Sequence, residues 1–223
     1  MEEKGQKIVA VSTRWRDRSV DEVIVIGGGG HAKVVVATLF EAGYRVCCIY
    51  DDARERWGRS IMGVPVVGAI DEISGYRRAV IAIGDNVGRR SIAERLDLDW
   101  LTVVHPRAYV DSSVSLGCGT VVLAGAVVQP DVRVGSHVIV NTGATVDHDS
   151  EVGDYVHIGP GAHLAGSVFV GSGTLIGVGS AVLPGIRVGA WAIVGAGSVV
   201  TRDIPDGQVA FGVPAKPRRS VCG

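Results

Sequence analysis

His148 is the residue whose neighbours best equip it to move a proton. It stands between Asp147 and Asp149, at the end of the stretch Asn141-Thr-Gly-Ala-Thr-Val-Asp-His148-Asp149. A carboxylate bonded to one imidazole nitrogen fixes the tautomer and raises basicity, leaving the other nitrogen to accept a proton. A surface histidine in a polar turn would have the same neighbours, so the triplet alone does not choose. A second candidate is the run Gly27-Gly28-Gly29-Gly30, which follows the apolar stretch Val23–Ile26 and precedes a helical pattern. Backbone N–H groups at such a helix start favour an anion. A complete G-x-G-x-x-G is absent, because Gly27-x-Gly29 is followed by Ala32 and Gly28-x-Gly30 by Lys33. The run therefore suits a nucleotide phosphate better than a dinucleotide, or serves only as a strand–helix turn. Asp51-Asp52 and Gly84-Asp85-Asn86 end two further apolar runs, where ribose or base contacts or a solvated loop are both reasonable.

Two different grammars must position these residues. In the first half, apolar runs at Val23–Ile26, Val46–Tyr50, Val64–Val67, Ala79–Ile83 and Leu101–Val104 alternate with helical patterns at 31–42 and 87–96. That alternation predicts a small parallel α/β sheet, whose strand C-termini would converge on one ligand edge. From Tyr109 to Ile204 the chain divides into 16 hexads without insertion. The second residue of every hexad is Val, Ile or Leu, the sixth is small or β-branched, and the fifth is often Gly. Such spacing predicts a three-sided parallel β-helix with one aliphatic per side pointing inward and three hexads per coil, its coils stacked ~4.8 Å apart. With no insertion in the repeat, any site must lie on the walls or at seams between subunits. Metal ligation is disfavoured. His148, His157 and His163 are separated by one-half, one-third and five-sixths of a coil, so no pair stacks as ligands on one wall.

Bulk properties narrow the function classes. In 223 residues, 22 Lys+Arg balance 23 Asp+Glu for a formal net charge of −1, so no broad basic field exists for nucleic acid or a membrane surface. The four cysteines lack a C-x-x-C pattern, and adjacent Cys47 and Cys48 are expected to point to opposite faces of a strand as reduced core residues. No signal peptide or membrane span is expected, which suggests the cytoplasm. The expected organisation is a loose extension over 1–20, an α/β domain over 21–106, the β-helix over 107–204 and a tail over 205–223.

Taken together, Ile26-Gly-Gly-Gly-Gly-His31, Asp51-Asp52, Ile83-Gly-Asp-Asn86, Asn141–Asp149 and Gly212-Val-Pro-Ala-Lys216 resemble the nucleotide-sugar N-acetyltransferases of the hexapeptide-repeat class. These enzymes acylate 4-amino-4,6-dideoxy sugars in the bacillosamine and perosamine pathways, and sialic-acid O-acetyltransferases are their relatives. The resemblance covers about residues 22–217. It implies a Rossmann-like α/β domain followed by a left-handed β-helix, a homotrimer, acetyl-CoA as co-substrate and no metal. It further implies that His148 is the general base and that Asp149 strengthens it, in a position where the bacillosamine enzymes carry Glu. Gly29, Gly30, His31, Asp51, Asp52, Gly84 and Asn141 would meet the nucleotide sugar. His157, Gly166, Val178 and Ala196 would meet acetyl-CoA, with the Gly166 N–H on the thioester oxygen. No Ser or Cys is placed for an acyl-enzyme, so direct attack in a ternary complex is expected. Lys216, Arg218 and Arg219 would lie near CoA phosphates or form a solvated basic tail. Sialic-acid-type O-acetylation, a non-catalytic nucleotide-binding assembly module and a seam-bound zinc hydratase stand as alternatives.

Overall fold

The computed structural model describes residues 9–10, 22–76 and 78–221. The expected extension over 1–20 lies outside the described residues, apart from Val9–Ala10, which pair with Ser115–Leu116. The N-terminal unit is a sheet in the order Ser60–Ile61, Val64–Gly68, Arg45–Tyr50, Glu22–Ile26, Arg78–Ile81, Asp99–Trp100. All its pairings are parallel except that of Ser60–Ile61 with Val64–Gly68. Helix α1 (Gly30–Glu41) packs Ala32, Val35, Val36 and Leu39 against Val23, Val25 and Ile49 on one face. Helix α2 (Asn86–Arg95) places Ile92 with Ile24, Ile26 and Ile81 on the other. Strand order reverses around Glu22–Ile26, so both Gly27–Gly30 and Ile83–Asn86 leave the sheet at the switch point where open α/β sheets bind ligands.

Two expectations for this half need correcting. Cys47 and Cys48 pack against the same cluster, because the ladder with Glu22–Ile26 slips by a residue between Val23 and Ile24. The apolar run Leu101–Val104 is also not one strand of the α/β sheet. Asp99–Trp100 closes that sheet, and Val103–Val104 pairs with Val121–Val122 as the first rung of the β-helix. The hexad grid extends back to this rung, with Val104 in the second position.

The β-helix has three walls. Wall 1 carries Val103–Val104, Val121–Val122, Ile139–Val140, His157–Ile158, Leu175–Ile176 and Ile193–Val194. Wall 2 carries the strands from Tyr109–Val110 to Val199–Val200, and wall 3 those from Ser115–Leu116 to Arg187–Val188. Each rung pairs in parallel with the rung one full coil on, as Ile139 does with His157, and the second-position aliphatics fill the interior. The sixth position shows why small polar residues recur there. Thr120 Oγ1 donates to Gly135 O at 2.8 Å and accepts from Val138 N at 3.0 Å, and Thr174 repeats the pattern on Gly189 O and Ala192 N. A buried hydroxyl thus satisfies two backbone groups that the turn leaves unpaired. The fifth position is left-handed from Gly119 to Gly197, with φ between 53° and 72°. Glycine adopts that conformation without cost, and Asp tolerates it better than most residues.

The ladder changes after Ile204. Val209 pairs with Ile193 at less than a full coil's separation, and Gln208–Gly212 turns into an antiparallel hairpin with Ala215–Ser220. The expected tail is therefore a folded cap. The two halves also share a core. Val103, Val121 and Ile139 on wall 1 lie in the same cluster as α1, so α1 is buried between its own sheet and the β-helix.

Candidate functional site

The base candidate sits on the corner between walls 2 and 3. Val146 turns inward and is fully buried, which leaves Asp147, His148 and Asp149 on the corner. Asp149 holds the fifth, left-handed position at φ 58°. From there its Oδ2 lies 2.8 Å from His148 Nδ1, while Asp147 Oδ1 accepts the His148 backbone N–H at 2.9 Å. A carboxylate partner makes Nδ1 the protonated nitrogen, and Nε2 keeps its lone pair. The Asp149 bond, followed by the charge of Asp147, pushes the His148 pKa above its ordinary value. One coil further on lies Gly166. A Cβ there would stand 2.7 Å from both Cε1 and Nε2 of His148, so only glycine lets the ring rest on this coil. The Gly166 N–H has no acceptor among the described residues. Beside the corner, wall 2 carries a shallow cavity of about 450 Å³ edged by Gln129, Thr145, Asp147, His163 and Leu183.

A second cavity, of about 560 Å³, opens at the switch point of the α/β sheet. Gly29, Gly30, His31, Asp51, Asp52 and Gly84 line it, so the sequence-predicted sugar contacts from this half are brought together. They differ in what they have free. Both Asp51 oxygens are engaged: Oδ2 accepts from Gly28 N at 2.5 Å and from Arg56 at 2.7 Å, and Oδ1 accepts from Ala53 N at 2.8 Å. Burial raises the Asp51 pKa, but these donors outweigh it and hold the carboxyl below its usual value. Asp51 thus organises the loop, whereas exposed Asp52, among the described residues, accepts only from Ile70 N, at Oδ1. Glycine is needed at Gly27, where φ is 100° and a Cβ would meet Ile83 Cγ1 at 2.7 Å. At Gly29 and Gly30 a Cβ would meet nothing within 4 Å, so the chain's own packing does not require glycine there.

His157 approaches from wall 1 against Gly84 and His31, two of the residues that line this second cavity. Its Nδ1 lies 3.2 Å from Gly84 O and its Nε2 2.9 Å from Asn141 Nδ2, and its ring centroid is 6.2 Å from that of His31. Burial, then the nearby Arg89 charge, lowers both the His31 and the His157 pKa to about 4. Val178 and Ala196 stand exposed, one coil apart, on the corner between walls 1 and 2. The predicted site residues therefore form two groups. His148, Asp149 and Gly166 occupy the corner between walls 2 and 3, while the α/β unit, with its cavity, covers wall 1 on the opposite side of the prism.

Arg89 had no signature in the sequence. It is 1% exposed and the largest fully buried side chain among the described residues. Its guanidinium donates to carbonyls of Ile83, Gly84, His137 and Tyr155 and to Asn86 Oδ1. A charge run such as Arg89-Arg90 reads as solvated helix surface, and only the docking of the two halves buries the first of the pair.

The family model for the PglD N-terminal domain matches residues 22–96. A UDP-N-acetylbacillosamine N-acetyltransferase of Bacillus subtilis is 41% identical over 111 residues, 44% of this chain and 50% of its own length. A structure of a histidine variant of perosamine N-acetyltransferase from Caulobacter crescentus, in complex with CoA and GDP-perosamine, superposes with a TM-score of 0.86. It is 42% identical, with 91% of this chain and 99% of that chain covered. The chain belongs to the nucleotide-sugar N-acetyltransferases of the hexapeptide-repeat class. The acetyltransferase domain of PglB from Neisseria gonorrhoeae, in complex with acetyl coenzyme A, gives a TM-score of 0.82 at 39% identity, over 88% of this chain and 98% of that one. The chain spans half or less of the length of the curated relatives it matches. The likeness to these solved structures runs through both halves of the chain.

Proposed function

We propose that the protein transfers the acetyl group of acetyl-CoA to the C4 amine of a nucleotide-linked 4-amino-4,6-dideoxy sugar. His148, held by Asp149, is the general base. The observation that carries this reading is the His148–Asp149 pair seated on Gly166, with Nδ1 committed and Nε2 left as acceptor. The amine attacks the thioester carbonyl, a C–N bond forms and the C–S bond breaks. The proton lost by the cationic nitrogen goes to His148 Nε2 and onward to the departing CoA thiolate. The uncommitted Gly166 N–H is suited to the developing oxyanion. Gly29 and Gly30, bare above an α1 N-terminus that lacks a side-chain cap, suit the sugar's diphosphate. Asp52, His31, Gly84 and Asn141 line the path for the rest of that ligand. Val178 and Ala196 mark the acetyl-CoA side, while His157, expected there from the sequence, is bonded to Gly84 O and Asn141 Nδ2 among the sugar contacts.

The base corner and the sugar cavity lie on opposite sides of one prism, so one chain cannot close its own site. The proposed site therefore forms in a homotrimer, where the base corner of one copy meets the cavity edge of the next. Nucleotide-sugar binding falls to the α/β unit and acetyl transfer to the β-helix. Among the described residues no helix is long and apolar enough to cross a membrane, and Cys47, Cys48 and Cys118 are free thiols, which supports a cytoplasmic setting. The test is a thermal titration with UDP-, GDP- and dTDP-linked sugars beside calorimetry with acetyl-CoA. One nucleotide sugar should raise Tm, and acetyl-CoA should bind. Absence of acetyl-CoA binding in the presence of that sugar would leave only a nucleotide-binding module.

A further inference from the structure

The transfer site leaves unexplained a cation buried where the two halves meet. Arg89 has no carboxylate partner among the described residues; backbone carbonyls and Asn86 Oδ1 take its donors. Two of its ties join the α/β unit to the β-helix directly: Nε to His137 O at 2.8 Å and an Nη to Tyr155 O at 2.7 Å. A third, to Gly84 O at 3.2 Å, has a different consequence. The same carbonyl accepts from His157 Nδ1 at 3.2 Å. A carbonyl held between a guanidinium and an imidazole can only accept, so His157 must carry its proton on Nδ1. Its Nε2 then receives a hydrogen from Asn141 Nδ2, and the orientation of that amide agrees, because Asn141 Oδ1 is taken by Thr142 N at 2.8 Å.

We propose that Arg89 is a positioning residue of the transfer site: it pins the Gly84 carbonyl against His157, and so fixes the His157 tautomer and the Asn141 amide beside the sugar cavity. This rests on the assignment of His157, Gly84 and Asn141 to the site. The buried charge has a second effect in the same direction. His31 from α1 and His157 from wall 1 face each other with Arg89 behind them, and Asp85 and Tyr155 are the acidic groups acting on Arg89. The cation opposes protonation of both imidazoles. Arg89 thus keeps one wall of the cavity uncharged while its fork keeps that wall in register.

The experiment combines ¹⁵N NMR of histidine-labelled protein with steady-state kinetics, on the full-length wild type, Arg89→Lys and Arg89→Met. In the wild type, His157 should show a protonated Nδ1 and an unprotonated Nε2 down to about pH 5. Arg89→Lys keeps the charge and loses the fork. Its His157 should lose the single-tautomer signature, and KM for the nucleotide sugar should rise about tenfold or more, with KM for acetyl-CoA changing less. Arg89→Met should in addition let His157 and His31 protonate at higher pH. If Arg89→Met does not fold, Arg89→Lys decides the matter alone. A folded Arg89→Lys with the wild-type tautomer and an unchanged sugar KM would overturn the proposal. So would a wild-type His157 protonated on Nε2. A wild type with the expected tautomer and no acetyl transfer to any amino sugar would instead strike at the assigned activity, which keeps the two failures apart.

Discussion

Gly166→Ala separates the base's position from its chemistry. The added methyl would stand 2.7 Å from both Cε1 and Nε2 of His148. Carbon–carbon contacts settle near 3.5–4.0 Å, so the ring must retreat by about 1 Å. It can do so cheaply, because the imidazole is exposed and makes its one side-chain bond to an equally exposed Asp149. The backbone at residue 166 is not left-handed, so alanine fits it, and the N–H assigned to the oxyanion is kept. Stability should therefore hold, with Tm within about 3 °C of wild type. Catalysis should not hold, since a misplacement of about 1 Å in a reacting group can cost ~100-fold. The assay is kcat with saturating acetyl-CoA and the best nucleotide-linked amino sugar, run beside a thermal melt. A kcat within threefold of wild type would mean that the His148 ring does not act where it rests. A collapse of Tm would mean that Gly166 is needed for packing.

Asp149→Asn keeps a side chain that tolerates the left-handed position but removes the charge that raises the His148 pKa; the acid limb of kcat against pH should move to lower pH, and a limb that stays put would exclude Asp149 as the partner. His31, His137 and His157 have folded-state pKa values of about 4 against an ordinary 6.5, so the unfolded chain takes up protons first. The unfolding free energy should therefore be steady above about pH 6.5 and fall by up to roughly 3 kcal/mol per group as pH drops to about 4, with Tm falling alongside it, and a flat profile over that window would refute their burial as neutral rings. Gly29→Val should weaken the nucleotide sugar by at least about tenfold at nearly unchanged Tm, since its Cβ would stand at the cavity edge with nothing of the chain within 4 Å; unchanged affinity would remove the diphosphate from that edge. Mixing His148→Ala subunits with Gly29→Val subunits, each impaired alone, should restore part of the activity in mixed trimers, whereas a site closed within one chain would give none.

The β-helix was legible because its rule is local. In each hexad the second side chain turns inward and the fifth residue is left-handed, and the rungs pair one full coil apart whatever the rest of the chain does. The placement of the His148–Asp149 pair was legible for the same reason: the two are sequence neighbours, and the grid alone puts them at a turn. What escaped the sequence depends on docking. Arg89 collects acceptors from 83–86, 137 and 155, which meet only after α1 is buried against wall 1. The engagement of Asp51 likewise depends on Arg56 folding back, so a residue that lines the cavity also holds the loop. Cys47 and Cys48 share one side because of a register slip that no alternation pattern shows. The cap over 208–220 pairs back at less than a full coil, off the hexad grid, and so gave no periodic signal.

The proposed activity is acetyl transfer to a nucleotide-linked amino sugar with His148 as base. Its most direct measurement is initial-rate acetyl transfer across a panel of UDP-, GDP- and dTDP-linked 4-amino-4,6-dideoxy sugars, with wild type and His148→Ala in parallel. The wild type should N-acetylate at least one such sugar. His148→Ala should lose about 10²–10⁴-fold in kcat, with binding of both substrates little changed. A His148→Ala enzyme that turned over the preferred sugar at near the wild-type kcat would contradict the claim.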